Sequence, residues 1–184
     1  MEKPTLRKYR IPLPRYTVKD YEKWEGDWEL IDGIPYALAS PSLKHQRLVF
    51  LLAYLLEEQL KDNEECKECI TTIDTDYVIN ETTVLRPDIA VVCHNEGEKI
   101  TTTPKVVIEV VSPSSKAMDE NIKPKIYASE GVQYYFLAYP DSGEIKGFIL
   151  KGGNYKPIKP ENDGFKVKVN ENCDIEIPNT FKVR

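Results

Sequence analysis

Two acidic residues stand out because each lies within or beside a strongly apolar run. Glu109 lies inside residues 106–111, and Asp88 follows Pro87 and precedes the run at residues 89–93. Such runs are typical of strands buried on both faces, where an ionised carboxylate is costly unless a cation or hydrogen bonds compensate it. Since no Lys or Arg lies within its run, Glu109 requires a metal ion, a distant basic side chain or a retained proton.

Asp88 and Glu109 together indicate a metal site more strongly than either residue does alone. If the strands carrying Asp88 and Glu109 are neighbours in one sheet, their side chains converge and supply the hard oxygen ligands that Mg²⁺ or Mn²⁺ prefers. Two structural alternatives stay open from the residues alone. Glu109 could form a salt bridge with a remote Lys or Arg, and Asp88 could be a turn residue that starts its strand.

Two further polar residues precede these strands. Glu29 begins the segment Trp28-Glu-Leu-Ile-Asp-Gly, and the local pattern alone favours an exposed strand residue. His45 falls in the first turn of a helix that Ser42 would cap. An imidazole there could contact a phosphate, orient a water molecule or simply help to cap the helix.

The elements that must position these residues follow from periodicity and turn signals. A capping box at Thr17–Asp20 predicts a short helix to about Glu25, and Asp32-Gly33 predicts a hairpin turn. Leucines at helical spacing predict a long helix from Ser42 to about Lys61. Strands are predicted at 71–79, 87–93, 105–111, 132–139 and 144–150, with a helix that ends near Ser129 before Gly131.

This order of elements predicts an α/β fold with a central mixed β-sheet flanked by helices on both sides. The 184 residues suffice for one domain. We expect a basic N-terminal arm at residues 1–16, a core at 17–150, and a lysine-rich C-terminal extension at 151–184 that packs on the same domain as a short hairpin and tail.

Composition limits the function classes. The net charge of −5 argues against nucleic-acid binding over the whole surface, but basic residues concentrate in 1–19 and 146–168, which leaves room for a local basic face. No run reaches the roughly 20 apolar residues of a membrane span, and the N-terminus lacks a secretory h-region, so we expect a cytoplasmic protein without a membrane partner. The four cysteines, at 66, 69, 93 and 173, are then expected to be reduced thiols. A zinc site at the Cys66–Cys69 pair would need two further ligands.

Six segments in order resemble one family. The chain is similar to the Uma-two-like family of restriction endonucleases, a bacterial branch of the PD-(D/E)XK nuclease superfamily, over roughly residues 16–150. The segments that carry the resemblance are Trp28–Gly33, Ala39–His45, Val84–Cys93, Val107–Ser114, Lys123–Tyr127 and Gly131–Tyr135. The resemblance implies a restriction-endonuclease-like fold.

The resemblance also implies roles for individual residues. Asp88 and Glu109 would be the core metal ligands, with Glu29 as a third acid that binds Mg²⁺ or Mn²⁺ directly or through water. The backbone carbonyl of Val111 would be an extra ligand. His45 matches the family's histidine in the Ser-Pro-Ser-x-x-His segment.

The superfamily lysine has moved in this sequence. Its usual position, two residues after the second acid, is occupied by Val111, and Lys123 matches the family's lysine on the following helix. Lys116 and Lys125 are rivals for this role. Pro124 is tolerated only in the first turn of a helix, so the helix is expected to begin near residue 121.

The resemblance therefore predicts a metal-dependent endonuclease that hydrolyses DNA phosphodiester bonds and acts as a homodimer. The alternative is a nuclease fold without catalysis that binds nucleic acid or protein, including a partner role in a defence complex. A zinc hydrolase is weaker still, because His45 and His94 lack the spacing of a helical zinc motif.

Overall fold

The computed structural model of the protein describes residues 13–181, so most of the predicted basic arm at 1–16 lies outside the described residues. The helices are α1 (Val18–Tyr21), α2 (Leu43–Lys61) and α3 (Lys123–Ser129), with a 3₁₀ turn at Glu64–Cys66 and a π turn at Met118–Ile122. The strands are β1 (Trp28–Ile31), β2 (Ile34–Ala37), β3 (Cys69–Ile73), β4 (Tyr77–Asn80), β5 (Thr83–Leu85), β6 (Ile89–Cys93), β7 (Val106–Val110), β8 (Tyr134–Ala138), β9 (Ile145–Lys151), β10 (Asn154–Ile158), β11 (Gly164–Lys168) and β12 (Asp174–Pro178).

Six strands form the central sheet in the order β10-β9-β8-β7-β6-β3. The β7–β8 pair is parallel and the other neighbouring pairs are antiparallel. A parallel pair needs a long crossover, and the chain between β7 and β8 supplies it with the π turn and α3. The predicted mixed sheet is confirmed.

Each face of the central sheet packs against its own apolar core, because side chains alternate along a strand. Val106, Ile108 and Val110 of β7 join the core under α2 and the β11–β12 hairpin, which we call the α2 face. Val107 and Val111 join the core under α3, which we call the α3 face. Helices therefore lie on both sides, as predicted, and alternation directs Glu109 to the α3 face.

Helix α2 follows the predicted pattern closely. The Ser42 hydroxyl accepts a hydrogen bond from the backbone N–H of His45 at 3.2 Å and so caps the helix start. Leu48, Leu52 and Leu56 recur at helical spacing and are fully buried, which stabilises the fold by roughly 1.5–3 kcal/mol for each side chain. Within residues 13–181 no helix combines the length and apolar character needed to span a membrane.

A smaller four-stranded sheet, in the order β2-β1-β5-β4, carries Glu29. Asp32 and Gly33 adopt φ angles of 50° and 76° at the β1–β2 turn, the positive pair that a two-residue hairpin turn requires. The predicted hairpin is confirmed. Strand β5 pairs with β1 and leads through Pro87 into β6, which brings the Glu29 strand close to the central sheet.

The predicted strand at 71–79 was wrong, because two strands in different sheets occupy this segment. Asp74, with φ of 49°, ends β3 at the edge of the central sheet, and β4 joins the smaller sheet after Asp76. Apolar residues at Ile73 and Tyr77 flank the break, so hydrophobic periodicity does not reveal it. The predicted first helix is also shorter than expected, ending at Tyr21.

Residues 151–181 extend the central sheet by one strand and cover its α2 face with a hairpin. Strand β10 pairs with β9 as an edge of the central sheet, and the β11–β12 hairpin packs Phe165, Val167 and Ile175 into the α2 face. The expected hairpin is present, and β10 is a further strand beyond it. The division of the chain at residue 150 stays a prediction.

The cysteines form two disulfides, Cys66–Cys173 and Cys69–Cys93. The expectation of four reduced thiols was therefore wrong. Cys69 and Cys93 are opposite each other in the β3–β6 register, with Cα atoms 4.0 Å apart. Cys66 and Cys173 are 107 positions apart in sequence and meet only through the tertiary fold. Both disulfides belong to the α2 face, away from Glu109.

Candidate metal centre

Asp88 and Glu109 meet because their strands are antiparallel neighbours. Ile89 is opposite Ile108 in the β6–β7 register, so the preceding residue of one strand faces the following residue of the other. The backbone N–H of Asp88 lies 3.4 Å from Glu109 Oε2, and the backbone N–H of Val110 donates to Asp88 Oδ2 at 2.6 Å. The structure thus brings together the two carboxylates that sequence periodicity singled out.

Glu29 reaches the same cluster from the smaller sheet. Its side chain is only 2% exposed, so the exposed position favoured by the local pattern is incorrect. Glu29 Oε1 accepts a hydrogen bond from the backbone N–H of Arg86 at 2.9 Å and lies 2.9 Å from Lys123 Nζ. Strand β1 pairs with β5 at Leu30 and Val84. Because β5 leads through Pro87 to Asp88, this pairing brings Glu29 close to the other two carboxylates.

Lys123 begins α3 and projects its ammonium group into the acidic cluster. Its Nζ lies 2.9 Å from Glu29 Oε1 and 3.2 Å from Glu109 Oε1, and the residue is 5% exposed. Lys116 and Lys125 are exposed to solvent. Pro124 lies in the first turn of α3, where its missing N–H is tolerated.

Burial and crowding of charge shift the pKa values of this cluster. Burial raises the pKa of Glu109 well above its usual range; the Lys123 ammonium opposes this shift, while Asp119, Asp88 and Glu29 add to it. Burial lowers the pKa of Lys123, but the charges of Glu109, Glu29 and Asp119 raise it by more, and the net pKa lies well above its usual value. The lysine therefore stays protonated, and Glu109, in the absence of a further cation, retains its proton more readily than an exposed carboxyl does.

His45 contacts the cluster from the start of α2. Its Nε2 lies 3.1 Å from Asp88 Oδ1, and its buried Nδ1 has no hydrogen-bond partner within residues 13–181. Burial lowers the pKa of His45, but the hydrogen bond and charge of Asp88, aided by Asp74 and Asp119, outweigh it and the net pKa is raised. The histidine thus contacts a carboxylate of the cluster, beyond any role in capping α2.

A cleft of about 510 Å³ opens above Asp88, Glu109 and Lys123. Two Ser-Pro-Ser segments line it, one at residues 40–42 before α2 and one at 112–114 after β7. Val111 is 7% exposed, packs in the α3-face core and is not among the residues that line the cleft. The cleft therefore combines an acidic floor with hydroxyl-bearing walls.

Three residues of the site were missed by sequence reasoning. Asp119 is buried 3.5 Å from Lys123 Nζ, and the Tyr127 hydroxyl donates to Glu109 Oε1 at 2.8 Å. Arg86 lines the cleft and pairs with Asp76 and Asp27. The spacing of Asp119, Lys123 and Tyr127, four residues apart on one helical face, was the available signal.

The donor set fits a small divalent cation. Three carboxylates, those of Glu29, Glu109 and Asp119, surround the single ammonium group of Lys123, and Mg²⁺ or Mn²⁺ would balance their charge when all three are ionised. Residues 13–181 contain no group of three or more His, Cys, Asp or Glu arranged to hold a metal. Mg²⁺ commonly uses only one or two carboxylates and keeps several waters, so Asp88 and Glu109 at the open cleft suffice.

A central mixed sheet with acids on two adjacent strands at a cleft defines the restriction-endonuclease-like class of fold. A crystal structure described as a putative nuclease belonging to DUF820, from Anabaena variabilis ATCC 29413, superposes with a TM-score of 0.68. The match covers 85% of this chain and 90% of that chain at 16% identity, which confirms the predicted fold class.

The family follows from the sequence match. The model of the Uma2 family, described as putative restriction endonucleases, matches residues 18–173. The chain belongs to this family, and the resemblance noted in the sequence is confirmed. An uncharacterized protein of Synechocystis sp. (strain ATCC 27184 / PCC 6803 / Kazusa) is 30% identical over 142 residues, covering 73% of this chain and 74% of the relative.

Proposed function

We propose that the protein is a metal-dependent endonuclease that hydrolyses DNA phosphodiester bonds with Mg²⁺ or Mn²⁺. The observation that carries the proposal is the meeting of Asp88 and Glu109 on adjacent strands, with Lys123 Nζ 3.2 Å from Glu109 Oε1 at the floor of a cleft. Membership of the Uma2 family supports nuclease function in general.

Asp88 and Glu109 would hold the metal, and Glu29 would act directly or through water. The carbonyl of Val111 remains the proposed extra ligand. A divalent cation there lowers the pKa of a bound water and neutralises charge on the scissile phosphate.

The protein's own residues perform the remaining tasks. Lys123 stays protonated in its acidic surroundings, so its N–H groups can donate to negative charge that develops on the phosphate oxygens. His45 holds Asp88 Oδ1 while Val110 N–H holds Oδ2, which fixes that carboxylate in one orientation. The serine hydroxyls of the cleft walls can donate to backbone phosphates without adding charge.

Nicking of supercoiled plasmid DNA tests this proposal. The wild-type protein should nick DNA in Mg²⁺ or Mn²⁺ and lose the activity in EDTA, and Glu109→Ala should abolish it. Glu96→Ala, at an exposed residue on the β6–β7 connection, is the matched control and should cut normally. Equal nicking by Glu109→Ala would assign the activity to a contaminant or another site. A single-stranded RNA substrate run in parallel distinguishes DNA from RNA preference.

A second candidate function is a nuclease fold that binds nucleic acid or protein without cutting. It is favoured by the position of Lys123, whose ammonium already compensates Glu29 and Glu109. Under this alternative, Mn²⁺ would leave the melting temperature unchanged and DNA would bind uncut. Metal-dependent nicking that Glu109→Ala abolishes would reject it, and a rise in melting temperature with Mn²⁺ that Asp88→Asn removes would reject a purely structural role for the acid cluster.

We also propose a homodimer in the cytoplasm. Cutting both strands of a duplex requires two sites, and a two-fold dimer supplies them. Sedimentation equilibrium should give about twice the chain mass of 21.2 kDa, and a monomer at all concentrations would reject the dimer. Disulfides are rare in reducing compartments, so thiol trapping in cell fractions tests the location: trapped disulfides in an extracytoplasmic fraction would reject it.

A further inference from the structure

We propose that Asp119 is the positioning residue that holds the Lys123 ammonium at the metal centre. The reaction that this serves rests on the proposed function, whereas the contact itself does not. Asp119 lines the cleft beside Ser115, whose hydroxyl hydrogen-bonds its carboxylate, and its Oδ1 lies 3.5 Å from Lys123 Nζ.

Burial makes the carboxylate of Asp119 unusual. The residue is 1% exposed, and its Oδ1 has no hydrogen-bond partner within residues 13–181. The same atom lies 3.5 Å from Lys123 Nζ, within ion-pair distance but beyond a close hydrogen bond. A buried carboxylate without a compensating partner is costly. The Lys123 ammonium is the cation that compensates it.

The backbone around Asp119 is shaped for this contact. Residues Met118–Ile122 form a single π turn directly before α3, and such turns widen a helix and redirect side chains. The Tyr135 hydroxyl of β8 donates to the backbone carbonyl of Asp119 at 2.7 Å. The turn is thus fastened to the central sheet, and Asp119 has little freedom to move away from Lys123.

Because Lys123 lies on a helix and not directly after β7, its ammonium group must be held in place by contacts with other residues. Lys123 extends a flexible four-carbon stem from the start of α3, whereas the usual position of the lysine, Val111, directly follows β7. Glu29 and Glu109 contact its Nζ from the sheets. Asp119 adds a contact from the helix side, one turn earlier, so that the ammonium is held from both directions.

Kinetics on four variants test the inference. Asp119→Asn removes the charge and keeps the shape, and should lower kcat on the order of 100-fold with KM unchanged, because a misplacement of about 1 Å costs that much. Asp119→Glu should restore part of the rate. In a Lys123→Met background, Asp119→Asn should lower the residual rate no further. An undiminished loss in that background would overturn the inference.

A measurement independent of activity keeps the two proposals apart. In protein labelled with ¹⁵N at lysine side chains, the buried Lys123 ammonium should give a slowly exchanging signal that Lys123→Met removes. Asp119→Asn should shift this signal and speed its exchange, while Asp119→Glu retains it. Glu120→Gln, at the neighbouring carboxylate that binds the Tyr139 hydroxyl, is the control and should leave it unchanged.

The kinetic and NMR measurements together distinguish a failure of the proposed nuclease function from a failure of the proposed role of Asp119. An inactive wild-type protein with an Asp119-dependent lysine signal would reject the proposed nuclease and retain the contact. An active protein whose lysine signal and kcat ignore Asp119→Asn would retain the nuclease and overturn this inference. Thermal unfolding of each variant identifies any loss that arises only from unfolding.

Discussion

The two faces of the central sheet differ sharply, although the same strands build both. On β7, Val106, Ile108 and Val110 contribute to the apolar core of the α2 face. Between them, Val107 and Glu109 point to the α3 face, where Lys123 and two further carboxylates are buried. A sheet with alternating side chains can therefore stabilise the fold on one side and hold charge on the other.

The difference separates stability from chemistry. The α2 face has apolar side chains, both disulfides and the cover of α2 and the β11–β12 hairpin. The α3 face keeps carboxylates whose charge is only partly compensated, which costs free energy that apolar burial elsewhere must offset. Buried charge of this kind at a cleft is typical of functional sites.

The largest effect is expected from breaking the charge balance of the α3 face. Lys123→Met leaves Glu29, Glu109 and Asp119 buried without their cation, and should lower the free energy of unfolding by about 3–5 kcal/mol. Urea unfolding at neutral pH measures it. Lys125→Met, two residues away and exposed, should change it by no more than about 0.5 kcal/mol. Equal small effects in both variants would contradict a buried charge cluster.

The α2 face should respond to reduction instead. Cys173→Ser removes the bridge to Cys66, which spans 107 positions, and should lower the free energy of unfolding by about 2–4 kcal/mol. Because the bridge is remote from Asp88 and Glu109, nicking activity at a temperature where the protein stays folded should not change. Activity lost in proportion to stability would show that the two faces are coupled. Adding a reductant to wild type should reproduce the effect, and adding it to Cys66→Ser/Cys173→Ser should lower stability less.

The smallest expected effect is the pH dependence of the contact between His45 and Asp88. The pKa of His45 is raised above its ordinary value of 6.5, so the folded state binds the proton of this ring more tightly than the unfolded state does. This stabilisation is fully present below about pH 6.5 and is lost as the pH rises through the raised pKa. The free energy of unfolding of wild type should therefore exceed that of His45→Gln by an amount that falls as the pH rises above 6.5. The measurement is made with EDTA present.

Two variants control the pH measurement. Asp88→Asn should flatten the dependence, because it removes the charge that holds the imidazolium. His94→Gln changes the other histidine, whose side chain is 73% exposed, and should preserve the wild-type slope. If the stability of Asp88→Asn depends on pH as that of wild type does, the His45–Asp88 contact is not the cause of the pH dependence.

The parts that sequence could predict depend on local signals. Leucine spacing and the Ser42 cap predicted α2, and the apolar runs predicted β6 and β7 with the opposition of Asp88 and Glu109. The burial of Glu29 was not predicted because it depends on β5 and α3, which the local sequence pattern does not reveal. The disulfides escaped for the same reason, since Cys173 meets Cys66 only in the folded chain.

Asp119 shows a different limit. Its four-residue spacing from Lys123 is visible in the sequence, but the π turn that directs it inward is not. Many helices carry such pairs on their exposed surfaces, where they contribute little. Only the burial of Asp119 and Lys123 distinguishes this pair from those.

We propose above all that Asp88 and Glu109 bind a divalent metal where β6 and β7 meet the cleft. A crystal structure grown with Mn²⁺ and measured at the manganese absorption edge tests it most directly. We expect an anomalous peak within ligand distance of both Asp88 and Glu109, which should disappear in Glu109→Ala crystals. The absence of a peak at saturating Mn²⁺ in wild-type crystals would contradict it.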